Sequence, residues 1–197
     1  MVRLAGMALV LVLVGTVGLV GLFAFYAKDL PSPDKVVRRE GFATKIYDRN
    51  GKLLFDVFEN QRRTPVKFED LPLSLRQATI AIEDKNFYKH GGFDLMGIVR
   101  ASVKTLFTGR VQGGSTITQQ LVKNVLLTQQ RTITRKLKEF ILTVQIERHY
   151  TKDQILLMYL NESPYGGSAY GVQTASETYF GKPVAALNLA QSAILAG

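Results

Sequence analysis

The chain has 197 residues, 46% of them hydrophobic, a net charge of +9, two histidines and no cysteine. That length supports one domain with a real core, and the missing thiols exclude disulfides and thiolate metal sites. The basic balance calls for an anionic partner: nucleic acid, anionic lipid head groups or a phosphorylated ligand.

From Leu4 to Ala27 there is no charged side chain, and most residues are Leu, Val, Ala or Gly. A bilayer's hydrocarbon layer needs about 20 apolar residues of helix, so residues 4–27 read as a transmembrane anchor. Phe23, Phe25 and Tyr26 stand where an interfacial aromatic belt lies. A cleaved signal peptide is the competing reading, but its apolar run is shorter and ends in a small-x-small site that Ala24-Phe25-Tyr26-Ala27 lacks. Residues 1–3 form the tip before the anchor. Residues 28–42, with Pro31, Pro33 and mixed charge, form a stem, and 43–197 the folded domain. The flanking cations leave topology open, because the positive-inside rule is weak for long translocated domains.

Past the stem, Arg49-Asn50-Gly51 separates two β-prone runs, Thr44–Asp48 and Lys52–Val57, which predicts a short β-hairpin. After Pro72 the pattern is helical. Ser74 opens a helix running towards Lys89 and closed by Gly91 and Gly92. Asp94 caps another through Ile98 and Val103 to Phe107, and 109–114 is a loop. Thr116-Ile117-Thr118-Gln119 is a capping box for a helix to about Leu127. A long helix spans Thr132 to His149, and Thr151-Lys152-Asp153-Gln154 caps one ending near Leu160. A Gly-rich loop, Ser163 to Gly167, precedes helices at Val172–Tyr179 and Ala185–Ala196.

Three stretches concentrate polar chemistry. Glu83 follows Ile80-Ala81-Ile82 near the end of an apolar helix, a setting that suits a general base; a helix-end carboxylate paired with a lysine is the plain alternative. His90, beyond Asn86, reads as structural. On the helix after Thr116, Ile117, Leu121 and Val125 should face the core, while Thr116, Gln120 and Lys123 line another stripe beside an N-terminus with spare N–H donors. That stripe is either a phosphate site or a well-capped surface; without a Gly-Lys-Ser/Thr ending it is not a P-loop. On the long helix, Ile133, Leu137, Ile141 and Val144 should face inward, with Arg131, Arg135 and Glu139 opposite, flanked by Lys136 and Lys138. These cations around one carboxylate suit a diphosphate, or else form a solvated face of i, i+4 pairs.

Glu83 to Gly92, Gly113 to Gln120 and Arg135 to Glu139 resemble, in order, the motifs Glu-Asp-x-x-Phe-x-x-His-x-Gly, Gly-x-Ser-Thr-x-Thr-Gln-Gln and Arg-Lys-x-x-Glu. These are signatures of the peptidoglycan glycosyltransferase domain of class A penicillin-binding proteins and their monofunctional relatives. Lys152 to Asn161 and Tyr179-Phe180-Gly181-Lys182 look like two later motifs of that family. The resemblance implies a mainly α, lysozyme-like glycosyltransferase domain, preceded by a transmembrane helix and a short β-hairpin. It implies a single-pass protein of the bacterial cytoplasmic membrane with its catalytic domain outside, polymerising lipid II with inversion. Glu83 would be the general base and Glu139 the second catalytic carboxylate, with Asp84, Phe87, His90, Ser115, Thr116, Gln119, Gln120, Lys123, Arg135 and Lys136 binding substrate. Mg²⁺ or Mn²⁺ held by Glu139 with the donor diphosphate is a further implication. The implied partners are lipid II, the growing glycan strand, the bilayer, and cell-wall synthesis or division proteins, but not nucleic acid. The family usually continues past Ala193-Ile194-Leu195-Ala196-Gly197, so 43–197 reads as C-terminally incomplete and without a transpeptidase domain. A lysozyme-like glycosidase or lyase, or a non-catalytic cationic membrane module, are the alternative functions.

Overall fold

A computed structural model describes residues 6–7, 10, 13–18, 21, 25, 30–31, 44–50, 53–57, 64–94, 96–97, 100, 114–127, 132–167 and 169–197. The expected anchor at 4–27 and stem at 28–42 fall largely outside these residues, as do Arg131, most of the 94–107 helix and the 109–114 loop. Among the described residues no helix is long and apolar enough to cross a membrane.

Two short strands, β1 (Thr44–Tyr47) and β2 (Leu53–Val57), pair antiparallel with Thr44 opposite Val57. Asn50 donates its backbone N–H to the Asp48 carboxylate at 2.8 Å, a local turn bond of the kind Asx residues favour. The rest of the described domain is mainly helical: α1 (Leu73–Glu83), α2 (Ile117–Leu126), α3 (Ile133–His149), α4 (Lys152–Glu162), α5 (Val172–Phe180) and α6 (Leu189–Ala196). Side-chain caps set several starts. Thr116 and Thr151 close the boxes the sequence predicts with Gln119 and Gln154, and Asn188 makes a third with Gln191. The Asn188 cap splits the single helix expected over Ala185–Ala196 into a 3₁₀ turn, Val184–Ala186, and α6.

The core gathers where α2 packs on α3 and α4. Ile117, Leu121, Val122 and Val125 of α2 meet Leu142 and Ile146 of α3 and Ile155, Leu156 and Leu160 of α4, all essentially excluded from solvent. Each such side chain contributes about 1.5–3 kcal/mol relative to exposure. Asn161, at the end of α4, accepts the Val66 N–H and donates to the Val66 carbonyl, at 3.0 and 3.1 Å. One amide thereby pins the chain entering the domain. Helix α1 lies against α6, where the Ser74 and Ser192 hydroxyls share a 2.9 Å hydrogen bond.

Two expectations are corrected. The helix expected from Ser74 to Lys89 stops at Glu83: Asp84 leaves helical geometry, with φ −157° and ψ 80°, and Phe87–Lys89 form a separate 3₁₀ turn. The cause is tertiary, because the Asp84 side chain is buried and bonded to His90 and to the first residue of α2. Helix α3 also turns the other way. Glu139, expected on the solvent side, is 2% exposed, while Ile133, expected in the core, is 84% exposed. Ile141 is buried as expected.

Candidate active site

The break after α1 places Glu83 at a helix end facing α2. Its Oε2 accepts a 2.6 Å hydrogen bond from the Gln120 side-chain amide. The Tyr159 hydroxyl donates to the Gln120 carbonyl oxygen at 3.4 Å. With its oxygen turned to Tyr159, the amide presents its N–H₂ to Glu83. Burial, and then the nearby Glu83 charge, push the Tyr159 phenol up to about 12, so it remains a donor at neutral pH.

Asp84 and His90 form the frame behind Glu83. His90 Nε2 lies 2.9 and 3.1 Å from the two Asp84 oxygens, and Gly92 N–H donates to His90 Nδ1 at 3.2 Å. Because Nδ1 accepts, the ring proton of this arrangement sits on Nε2 and is donated to Asp84. Asp84 also accepts from the Ile117 N–H at 3.2 Å, a carboxylate at the N-terminus of α2. The Thr116 hydroxyl donates to the Gly92 carbonyl at 2.7 Å, closing the frame. Gly92 has φ +91°, and a Cβ there would lie 2.7 Å from the Thr143 side chain. Only glycine fits that approach.

The cationic cluster is built on α3. Glu139 accepts from Arg135 at 3.1 Å and pairs with Lys136 through its other oxygen. Lys123 of α2 is exposed and, among the described residues, has no ion-pair partner. The Glu83 and Glu139 clusters open into two adjoining cavities that share a wall, together called the cleft. A cavity of about 650 Å³ is lined by Glu83, Asp84, Asn86, Ser115, Gln120 and Lys123, among others. An adjoining one of about 480 Å³ is lined by Ser115, Gln120, Lys123, Arg135, Lys136 and Glu139. Ser115, Gln120 and Lys123 border both.

The residues singled out from sequence therefore divide. Glu83, Ser115, Gln120, Lys123, Arg135, Lys136 and Glu139 meet around the cleft, with Thr116 and Gln119 in its walls. Phe87 does not reach it: the ring is fully buried in the core, with the Lys152 ammonium 4.5 Å from its centroid. Asp84 lines the cleft but is engaged with His90 and Ile117, so both Asp84 and His90 act as framework. The sequence marks Tyr159 and Tyr179 only as members of the two later motifs, with no role, and Tyr165 not at all; all three line a third cavity shared with Glu83. For Tyr165 the only signal is its place in the Gly-rich loop after α4. Nor did it place Asp94 in the cleft wall. Hydrogen bonds from Asn86 and then the Gly97 N–H hold that carboxyl below its usual range.

The donor set does not fit a protein-held Mg²⁺ or Mn²⁺. Both Glu139 oxygens already receive cations, and among the described residues no group of three His, Asp or Glu stands together. No step below is routed through a metal.

A helical domain with a carboxylate in one cavity and a cationic cluster in the adjoining one has the groups that a transfer reaction with an anionic leaving group uses. The chain matches the Transglycosylase family over residues 50–197 and belongs to it, as a glycosyltransferase domain of class A penicillin-binding proteins. It is 46% identical over 177 residues to penicillin-binding protein 1A of Rickettsia bellii, a match covering 87% of this chain and 22% of the relative. It is 40% identical to penicillin-binding protein 1A of Pseudomonas aeruginosa, over 90% of this chain and 22% of that protein. With penicillin-binding protein 1A/1B of Bacillus subtilis the identity is 42%, over 96% of this chain and 21% of that protein. The chain thus spans less than a quarter of the length of these curated relatives.

Proposed function

We propose that this domain polymerises lipid II into glycan strands by inverting transfer from an undecaprenyl-diphosphate-linked donor, with Glu83 as general base. The observation that carries the reading is the pair of adjoining cavities, one lined by Glu83 and the other by Arg135 and Lys136, with Lys123 and Gln120 in the wall they share. In this reading Glu83 takes the proton of an acceptor sugar hydroxyl as that oxygen attacks the donor's anomeric carbon from the face opposite the diphosphate. The carbon–oxygen bond to the diphosphate breaks, and the leaving group carries the electron pair into the cradle. Attack opposite the leaving group inverts the anomeric centre. Gln120, oriented by Tyr159, holds the Glu83 carboxylate towards the acceptor. Proton transfer of this kind contributes about 100- to 10,000-fold, and fixed cations at the departing charge add electrostatic stabilisation. Glu139 keeps Arg135 and Lys136 directed into the cleft.

A cationic end has no use in hydrolysis of a finished strand, which favours synthesis over a lysozyme-like cleavage. The anchor at 4–27 fits a lipid-linked substrate and an extracytoplasmic site at the cytoplasmic membrane, and the lysozyme-like character of the helical domain belongs to the same reading. The test is Glu83→Gln. The variant should keep the fold, since glutamine can still accept from Gln120, and lose strand synthesis from purified lipid II. Wild-type polymerisation by that variant would remove Glu83 from the chemistry. Shortening of purified strands by the unaltered protein, without release of undecaprenyl diphosphate from lipid II, would replace synthesis by cleavage.

A further inference from the structure

The outer face of α3 carries an apolar stripe beside the cationic cradle. Ile133, Lys136 and Phe140 recur at i, i+3 and i+7, which puts them on one side of the helix, and all three are exposed. Ile133 is 84% exposed and is itself a wall of the cavity that holds Arg135, Lys136 and Glu139. Phe140, 47% exposed, stacks on Phe93 with ring centroids 4.4 Å apart and an interplanar angle of 27°. Met96, three residues beyond Phe93, is 73% exposed. Scattered exposed apolar residues are ordinary; apolar side chains aligned from the mouth of a polar cleft mark a ligand surface.

We infer that the stripe Ile133–Phe140, extended by Phe93, is the binding track for the first isoprene units of the diphosphate-linked lipid. The inference rests on the proposed glycosyl-transfer reading and deepens it. Lys136 belongs both to the cradle and to the stripe. A diphosphate seated on Arg135 and Lys136 therefore starts its hydrocarbon beside Ile133. From there the stripe runs about 10 Å along the helix to Phe140. The cations hold the head group, and the apolar residues withdraw the adjoining chain from water. A bilayer surface is the rival occupant. It is disfavoured because Ile133 forms part of the cleft wall itself, where a tethered chain arrives and a flat surface does not.

The test titrates the full chain, held in amphipol, with farnesyl diphosphate and with inorganic pyrophosphate, read by calorimetry. The wild type should bind farnesyl diphosphate more tightly than pyrophosphate. Ile133→Ser combined with Phe140→Ser should weaken farnesyl diphosphate roughly tenfold through lost apolar contact and leave pyrophosphate affinity unchanged. Both side chains lie outside the core, so the substitutions spare the fold. Equal affinity of the wild type for the two ligands, or equal losses for both in the double variant, overturns the lipid track but not the diphosphate cradle. Failure of the wild type to bind pyrophosphate at all removes the cradle, and the track with it. Loss of association with phosphatidylglycerol vesicles in the double variant, with farnesyl diphosphate affinity intact, assigns the stripe to the bilayer and refutes the inference.

Discussion

Replacing Asp84 by asparagine tests the frame that holds Glu83. Asp84 is 6% exposed and accepts from two donors at once, the His90 ring N–H and the Ile117 backbone N–H. Asparagine has nearly the same shape but only one accepting oxygen. If that oxygen stays where Ile117 donates, it can keep both bonds, but the new N–H₂ faces the His90 ring N–H. If reversed, the N–H₂ faces the Ile117 N–H, so either way an amide hydrogen opposes a buried donor. A buried unsatisfied group costs about 1–3 kcal/mol, and the variant should lose stability on that scale. The His90 proton cannot simply move to Nδ1, because Gly92 donates there. Urea unfolding should show a lower midpoint at unchanged slope, and strand synthesis should fall along with it because Glu83 adjoins the displaced residue. Combining Asp84→Asn with His90→Gln should be markedly non-additive, with a coupling of about 0.5–3 kcal/mol for residues in one network. A loss below about 0.5 kcal/mol, the scale of an ordinary surface substitution, or strict additivity of the pair, would refute the two-donor account.

Tyr159→Phe should lower kcat for strand synthesis severalfold with KM little changed, since it frees Gln120 to rotate without touching the cationic cradle. Its stability effect should stay below about 1 kcal/mol, because the bond removed is a long one; an unchanged kcat would deny Tyr159 the positioning role. The same residue carries a pH signature. Its phenol rises from 10.0 unfolded to about 12 folded, so it adds stability that is fully present below pH 10 and lost as pH climbs through 12. Tyr88 is raised similarly, so the measurement is the difference between wild type and Tyr159→Phe in urea midpoint across that window; superimposable curves would count against it. Gly171→Ala should unfold the domain at far lower urea. The position has φ +78°, and a Cβ would sit 2.6 Å from the backbone oxygen of Asn161. A midpoint within experimental error of wild type would contradict that contact.

Much of this molecule was written locally. The Thr116–Gln119 and Thr151–Gln154 caps, the Ile117-Leu121-Val125 stripe and the pairing of the two β-prone runs depend on residues close in sequence, and periodicity and cap chemistry are local. The groups that line the cleft, from Glu83 to Glu139, were likewise legible as residue types at meaningful spacings. Tertiary structure decided which way they point. Periodicity shows which residues of α3 share a side, but not which side the rest of the protein covers. Packing of α3 through Leu142 and Ile146 onto α2 and α4 turned Glu139 inward and left Ile133 outside. Capture of the Asp84 side chain by His90 and the start of α2, 33 residues away, ended α1 at Glu83 and aimed that carboxylate at Gln120. No helical propensity encodes such a stop, because its cause is a hydrogen bond that exists only once the two segments meet.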